Sequence, residues 1–298
     1  MWLLTMLYTI FEILVYLKDL YLNLRLNKTA MNFFLNKVVV VTGGSDGIGK
    51  ALVEKLLLAG SQVVTCGRNL DKFNFLNQEY AQSPYLIVQA DVSKEEDCKK
   101  LIDAAVDKFG SIDIVINNAG ISMRAEFTDT SIETLKKVMD INFWGAVYVT
   151  KYALPYVLTK KGTIVGVSSI AGYRGLPGRC GYSSSKFALQ GWLESLRTEL
   201  LNTGTKVMWV CPGFTASSIR QNALNAEASP QGETPLDEAS LMTASDCADH
   251  ILRAVIKGKR SLILTFNGKR TVWLNKLLPS LTDRLVHNFF YKNGQLVK

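Results

Sequence analysis

Residues 37–60 read KVVVVTGGSDGIGKALVEKLLLAG. The run Lys37–Thr42 is short, continuous and rich in valine, the composition of a strand buried on both faces of a parallel sheet. A cluster of glycines follows at once. After it, Ala51, Leu52, Leu56 and Leu57 recur at helical spacing, and Gly60 marks the stop. The next run, QVVTCG over 62–67, reads as a second strand. Strand, glycine turn, helix and strand in this order build a specific device. Glycines let the backbone turn sharply and approach a pyrophosphate, and the helix behind them aims its unpaired N–H groups and positive dipole end at the phosphates. Glycines alone are a weak signal, but here the flanking elements are the right ones. Thr42, Gly43, Ser45, Asp46, Gly47, Ile48 and Gly49 are the candidate cradle.

Outward from this unit the alternation continues. PYLIVQA (84–90), IDIVI (112–116), TIVGVS (163–168) and KVMWVC (206–211) are apolar runs separated by helical patterns. A long helix is expected from about Ser131 to Leu158. Strands that alternate with helices specify an α/β fold, a doubly wound parallel sheet of Rossmann type in a single domain. Its boundaries are expected at 36–260, with an apolar extension at 1–35 and a basic amphipathic one at 261–298. In such sheets ligands bind beyond the carboxyl ends of the strands. Ser168 and Ser169 end the fifth run, and Tyr182-Ser183-Ser184-Ser185-Lys186 opens the helix after it. Positions i and i+4 share a helix face, so Tyr182 and Lys186 point into one cleft. A free tyrosine titrates near ~10, and a nearby ammonium favours its phenolate. Tyr182 is thereby suited to give a proton to a carbonyl oxygen or to take one back.

The spacing Thr42-Gly43-x-x-x-Gly47-x-Gly49 resembles that of the short-chain dehydrogenase/reductase family, T-G-x-x-x-G-x-G. Asn117-Asn118-Ala119-Gly120, Asn142, Ser169, Tyr182, Lys186 and Pro212-Gly213 follow in the family's order. The resemblance covers about residues 36–260. It implies a nicotinamide-dependent oxidoreductase, with Asn142, Ser169, Tyr182 and Lys186 as the catalytic set. It assigns Asp91 to the adenine amino group, with Val92 beside it, and gives Asn118, Ala119 and Gly120 to the ribose and nicotinamide end. Lys186 would also bond the nicotinamide ribose, and Asn142 would hold a water at a helix distortion. Pro212, Gly213 and Thr215 would meet the nicotinamide side, and Ser217 stands where relatives often carry Thr. A bland alternative for Asp91 is a helix cap, which Ser93 can also supply.

Cofactor choice rests on the end of the second strand. NAD enzymes usually place an acid there; here Gly67 and Arg68 stand in that place, followed by Asn69. An arginine pairs with a 2′-phosphate through a charge-assisted fork. NADP(H) is therefore favoured over NAD(H). Asp46 runs against this, because many NADP-specific relatives carry a basic residue inside the turn. A solvated surface role is the alternative for Arg68.

The net charge is +8, and residues 257–298 alone hold nine Lys/Arg against one acid, Asp283. No nucleic-acid motif accompanies them. The same tail carries Trp273, Leu274, Leu277, Leu278, Leu281, Leu285, Val286, Phe289 and Phe290, which suits either an anionic membrane surface or packing on the domain itself. At the other end, residues 1–17 (MWLLTMLYTIFEILVYL) are mostly apolar but short of the ~20 residues a spanning helix needs. A membrane anchor, a packed amphipathic helix, and an extension foreign to the natural product that would start at Met31 are the three readings. The basic residues Lys18, Arg25, Lys28 and Lys37 would keep the enzymatic part in the cytoplasm, on the membrane's cytoplasmic face if the segment inserts. The five cysteines form no C-x-x-C pair and His250 and His287 lack ligand spacing, so neither a disulfide framework nor a metal site is expected.

The substrate is the least determined feature. Residues 214–245 resemble the family's mobile substrate loop. Arg174, Arg179 and Cys180 lie where relatives line the pocket, and the arginines suit either an acidic substrate or pairing with loop acids and solvent. The apolar and basic termini favour a lipid-like ketone or alcohol, the layout of membrane-associated members of the dehydrogenase/reductase 7B type and of 3-ketosphinganine reductases. A 3-oxoacyl-thioester reductase of fatty-acid synthesis and a non-catalytic NADP-binding regulator are the alternatives. The resemblance also implies a homo-oligomer packed through the helices that begin near Ser131 and Tyr182.

Overall fold

A computed structural model describes residues 32–232, 234 and 241–297. The N-terminal apolar segment therefore lies outside the described residues. Seven parallel strands form one sheet in the order β3-β2-β1-β4-β5-β6-β7. Six of them are the apolar runs expected from the sequence: β1 (Val38–Thr42), β2 (Gln62–Gly67), β3 (Tyr85–Gln89), β4 (Ile114–Asn117), β5 (Thr163–Val167) and β6 (Lys206–Cys211). The seventh, β7 (Ser261–Ile263), is too short to show a period. It carries the sheet past residue 260, where the sequence suggested that the domain ends.

Helices cover both faces. In chain order they are α1 (Gly47–Leu58), α2 (Asn74–Glu79), α3 (Glu95–Phe109), α4 (Ile132–Met139), α5 (Gly145–Thr159), α6 (Cys180–Glu199), α7 (Ala244–Ile256), α8 (Phe266–Leu277) and α9 (Pro279–Phe290). Every residue of β1 is buried, and its alternation divides the core. Val39 and Val41 join a layer with Leu52 and Leu56 of α1 and Ile251 of α7. Val38 and Val40 join the opposite layer with Leu101 of α3, Val149 of α5 and Leu193 of α6. Burial on both faces is why these strands read as unbroken apolar runs rather than as alternation.

The sheet order reverses beside β1, where β2 leads one way and β4 the other. Connections leave β1 and β4 toward opposite faces there and open a crevice at the strands' carboxyl ends.

The C-terminal extension is helical and docks on this same end of the sheet. Arg174 bonds Asn275 of α8 at 3.1 Å and Asp283 of α9 at 2.7 Å. Asn275 in turn donates to the Tyr173 carbonyl at 3.1 Å. Phe289 stacks on Phe214, centroids 6.3 Å apart. A two-stranded hairpin, β8 (Tyr291–Lys292) with β9 (Gln295–Leu296), ends the described chain.

Candidate active site

The crevice holds a cavity of about 500 Å³. At one end lies the glycine turn. Gly43 has φ +68°, and a Cβ there would stand 2.9 Å from the Ala119 Cα. A Cβ on Gly49 would overlap the Gly43 carbonyl oxygen and the Asn118 amide. Only glycine lets the first turn of α1 pack this closely on the end of β1. Ser45, Asp46, Gly47 and Ile48 complete this wall of the cavity.

Asp46 has a local task. It is the N-cap of α1 and accepts from the Gly47 N–H at 2.7 Å. Its second carboxylate oxygen accepts from the Ser218 hydroxyl. The chain that leaves β6 thus lies across the glycine turn, with Ser217 next to Gly47.

Thr42 lies behind the lining. Its hydroxyl accepts from the Asn118 and Ala119 N–H groups, both at 3.0 Å. Asn118 returns the contact, donating from Nδ2 to the carbonyls of Thr42 at 3.0 Å and Gly43 at 3.2 Å. These bonds tie the ends of β1 and β4 together across the switch point, and Ala119 and Gly120 face the cavity. Asp91 and Val92 line the cavity next to Arg68. The Asp91 carboxylate accepts from the Ser93 N–H at 3.1 Å and hydroxyl at 2.8 Å. Neither residue caps α3: its N-cap is Lys94, without a side-chain bond, and Asp97 reaches back to the Asp91 N–H at 2.9 Å.

Arg68 is exposed on the cavity rim, and Lys72 lines the same end. No sequence signal had marked Lys72, because the short helix that carries it has no counterpart in the periodicity. Asn69 lies off the lining and caps that helix, accepting from the Asp71 N–H at 2.8 Å.

The other end of the cavity holds the tyrosine. Tyr182 sits in the first turn of α6 and Lys186 one turn on, both facing the C-terminal end of β5. Lys186 Nζ donates to the Val167 carbonyl at 2.8 Å and stands 5.7 Å from the Tyr182 ring centre. Burial lowers its pKa to about 8. Burial raises the Tyr182 phenol above its ordinary value, and a hydrogen bond with the Ser169 hydroxyl and the charge of Arg179 pull it back. Ser169 also caps a short helical turn, accepting from the Ala171 N–H at 3.1 Å.

Asn142 sits in a five-residue π-turn, Asp140–Trp144, between α4 and α5. The long helix expected over 131–158 is there, with this distortion inside it. Asn142 Oδ1 accepts from the Ile121 N–H at 2.8 Å, and its Nδ2 donates to the Ile121 carbonyl and the Ser185 hydroxyl, each at 2.9 Å. It anchors the chain after Asn117–Gly120 to the helix that carries Tyr182. Pro212, Gly213 and Thr215 line the cavity after β6. Of the two arginines marked in the sequence, Arg179 lines the cavity and Arg174 turns to the C-terminal helices. Lys137 and Arg220 line it as well, and no pattern had marked either.

A buried phenol, a hydroxyl that touches it and a buried lysine thus converge at one end of a crevice whose other end is a close-packed glycine turn. The sequence profile of the short chain dehydrogenase family matches residues 37–228. The chain belongs to this family. As a short-chain dehydrogenase it is an oxidoreductase. It is 34% identical over 262 residues to dehydrogenase/reductase SDR family member 7B of Mus musculus, covering 85% of this chain and 81% of the relative. It is 34% identical over 260 residues to 11-beta-hydroxysteroid dehydrogenase A of Arachis hypogaea, covering 83% and 73%. A solved short-chain dehydrogenase from Burkholderia phymatum, in complex with NAD, shares the fold at a TM-score of 0.74 and 24% identity, over 83% of this chain and 95% of that one.

Proposed function

We propose that this short-chain dehydrogenase interconverts a ketone and a secondary alcohol with NADP(H), on a lipid-like substrate. The observation that carries the reading is the Tyr182–Ser169–Lys186 constellation at one end of the cavity. A bound nicotinamide supplies or accepts hydride; the protein's part is to position and to move the proton. Tyr182 exchanges that proton with the substrate oxygen, and Ser169 hydrogen-bonds the same oxygen and holds it in place. Lys186 favours the phenolate and bonds the nicotinamide ribose. Asn142, held by Ile121 and Ser185, supports a water that links Lys186 to solvent. Residues 43–49 take the pyrophosphate, with Asp91, Val92, Asn118, Ala119, Gly120, Pro212, Gly213 and Thr215 along the rest of the cofactor.

Preference for NADP(H) is supported by two cations, Arg68 and Lys72, at the adenosine end.

A lipid-like substrate and a membrane surface are supported by the C-terminal helices. Trp273, Leu277, Leu281 and Leu285 on α8 and α9, and Leu278 between the two helices, are exposed, as are Lys269, Arg270, Lys276 and Arg284. Exposed apolar side chains interspersed with cations suit an anionic bilayer, and Phe289 stacks on Phe214 at the cavity. Among the described residues no helix is long and apolar enough to cross a membrane. The basic residues Lys18, Arg25, Lys28 and Lys37 favour a cytoplasmic catalytic domain, and the reading places it there, attached to the cytoplasmic face of a membrane. A homo-oligomer is supported by exposed aromatics at Trp144 and Phe187, in the π-turn and on α6; light scattering tests it, and a monomer would contradict it.

The testing experiment is oxidation of NADPH and NADH by purified protein against ketones from small diketones to 3-ketosphinganine and 3-oxoacyl thioesters. Turnover of a long-chain ketone with NADPH is expected. Cofactor binding with no turnover on any ketone would overturn the reading.

A further inference from the structure

The face of α6 that carries Tyr182 and Lys186 extends one turn further. At the same four-residue interval stands Gln190. It is 7% exposed and lies off the cavity lining, on a stretch of helix otherwise buried through Leu189, Leu193 and Leu196. A buried amide is costly unless it is hydrogen-bonded, and the proposed chemistry makes no use of this one.

Its bonds explain its place. Gln190 Nε2 donates to the Ser168 hydroxyl at 2.8 Å, to the Cys211 Sγ at 3.3 Å and to the Ser169 carbonyl at 3.4 Å. The Ser168 hydroxyl passes the link on by donating to the Lys186 carbonyl at 3.3 Å. The Ser168 N–H donates to the Val210 carbonyl at 2.7 Å, and Lys186 Nζ meets the carbonyl of Val167, the residue before it. Val167, Ser168 and Ser169, consecutive at the end of β5, are therefore bonded to one face of α6, and Cys211 brings in the end of β6. The turn after Ser169 closes on the same point. A Cβ on Gly172 would overlap the Gln190 amide and stand 2.8 Å from both the Lys186 carbonyl oxygen and the Ser168 hydroxyl. An amide packed this closely, with acceptors on two strands, fixes the distance between those strands and the helix; an apolar side chain of the same size would fill the volume without fixing it.

We propose that Gln190 is a positioning residue for the reduction: it fixes the Ser169 backbone against the helix that carries Tyr182, so that the two hydroxyls reach one substrate oxygen together. This rests on the ketone-reductase reading and gives that reaction a part outside the cavity. Misplacing a group that holds the reacting atoms by about 1 Å costs on the order of 10²-fold in rate. Gln190 touches neither substrate nor cofactor in this scheme. It acts through Ser169, so its effect falls on kcat and disappears once the Ser169 hydroxyl is gone.

The experiment measures NADPH-dependent reduction of one ketone by the full chain as wild type, Gln190→Met, Ser169→Ala and the double variant. Methionine keeps the unbranched shape and removes both donors. Gln190→Met is expected to lower kcat about tenfold, with KM and NADPH affinity within about twofold of the wild type. In the Ser169→Ala background the same substitution is expected to change kcat by no more than about twofold, because the group it positions is absent. A loss of equal size with and without the Ser169 hydroxyl would overturn the proposal and leave Gln190 a packing role. Ser168→Ala cuts the shortest of the bonds from the other side and carries the test if Gln190→Met does not fold. A drop in kcat that vanishes in the Ser169→Ala background supports the proposal, and an unchanged kcat contradicts it. A wild type that binds NADPH and reduces no ketone contradicts the reductase reading, and the proposal with it. A wild type that reduces ketones, with Gln190→Met as fast, contradicts the proposal alone.

Discussion

The two ends of the cavity are built by different means. At the glycine-turn end the parts are backbone: a left-handed Gly43, a Gly49 with no room for a Cβ, and carbonyls of Thr42 and Gly43 held by Asn118. At the Tyr182 end they are side chains from distant parts of the chain, Arg179 over Phe290 and Phe214 on Phe289, with Arg174 and Asp283 pinning the same C-terminal helices outside the cavity. The contrast teaches that the first end tolerates almost no change, while the second is adjustable, each contact being replaceable without moving the sheet.

Substitutions should therefore differ sharply between the ends. Gly49→Val is expected to have the largest effect, because its side chain must displace the Gly43 carbonyl: nucleotide binding is lost, and stability falls by ~1–3 kcal/mol from overpacking. Calorimetric NADPH titration and thermal melting check this, and unchanged binding would show that the turn is not a phosphate cradle. Arg68→Ala is expected to weaken NADPH by about tenfold or more, the size of one charge-assisted bond, with little effect on NADH. Equal losses for both nucleotides would remove Arg68 from the 2′-phosphate.

A third test uses pH. Burial lowers Lys186 to about 8, so its ammonium is present below that pH and lost above it. Ketone reduction should hold its kcat/KM at neutral pH and decline once pH passes about 8. A profile flat well above that point would take the charge of Lys186 out of the mechanism. The smallest effect is expected at the adjustable end. Asp283 is 64% exposed, so solvent screens its pair with Arg174. Asp283→Asn should cost no more than ~1 kcal/mol, and hydrogen exchange should quicken in α8 and α9 alone. A loss of global stability would show that these helices belong to the core.

The same contrast explains what was legible in the sequence. β1 to β6, the glycine turn and the Tyr182–Lys186 pair are short-range patterns, in which neighbours in sequence are neighbours in space. The π-turn at Asn142 was expected through the family resemblance, which implies a helix distortion there, and no local periodicity marks it. β7 was missed because three residues carry no period and it is held by pairing to β6. Lys72, Lys137 and Arg220 reach the cavity through turns and helix faces that no local pattern marks. The fates of Arg174 and Arg179 diverged because one meets Asp283 and the other Phe290, partners over a hundred residues away. The apolar tail residues divided as well: Phe290 is buried against the domain, while Trp273 and Leu281 are exposed.

The central claim is that Tyr182 moves the proton. Its most direct test is Tyr182→Phe, with NADPH affinity by titration and ketone turnover measured on the same preparation. Retained NADPH binding with turnover reduced by about 10²-fold or more is the expected result. Turnover at the wild-type rate in a variant that still binds NADPH would contradict it.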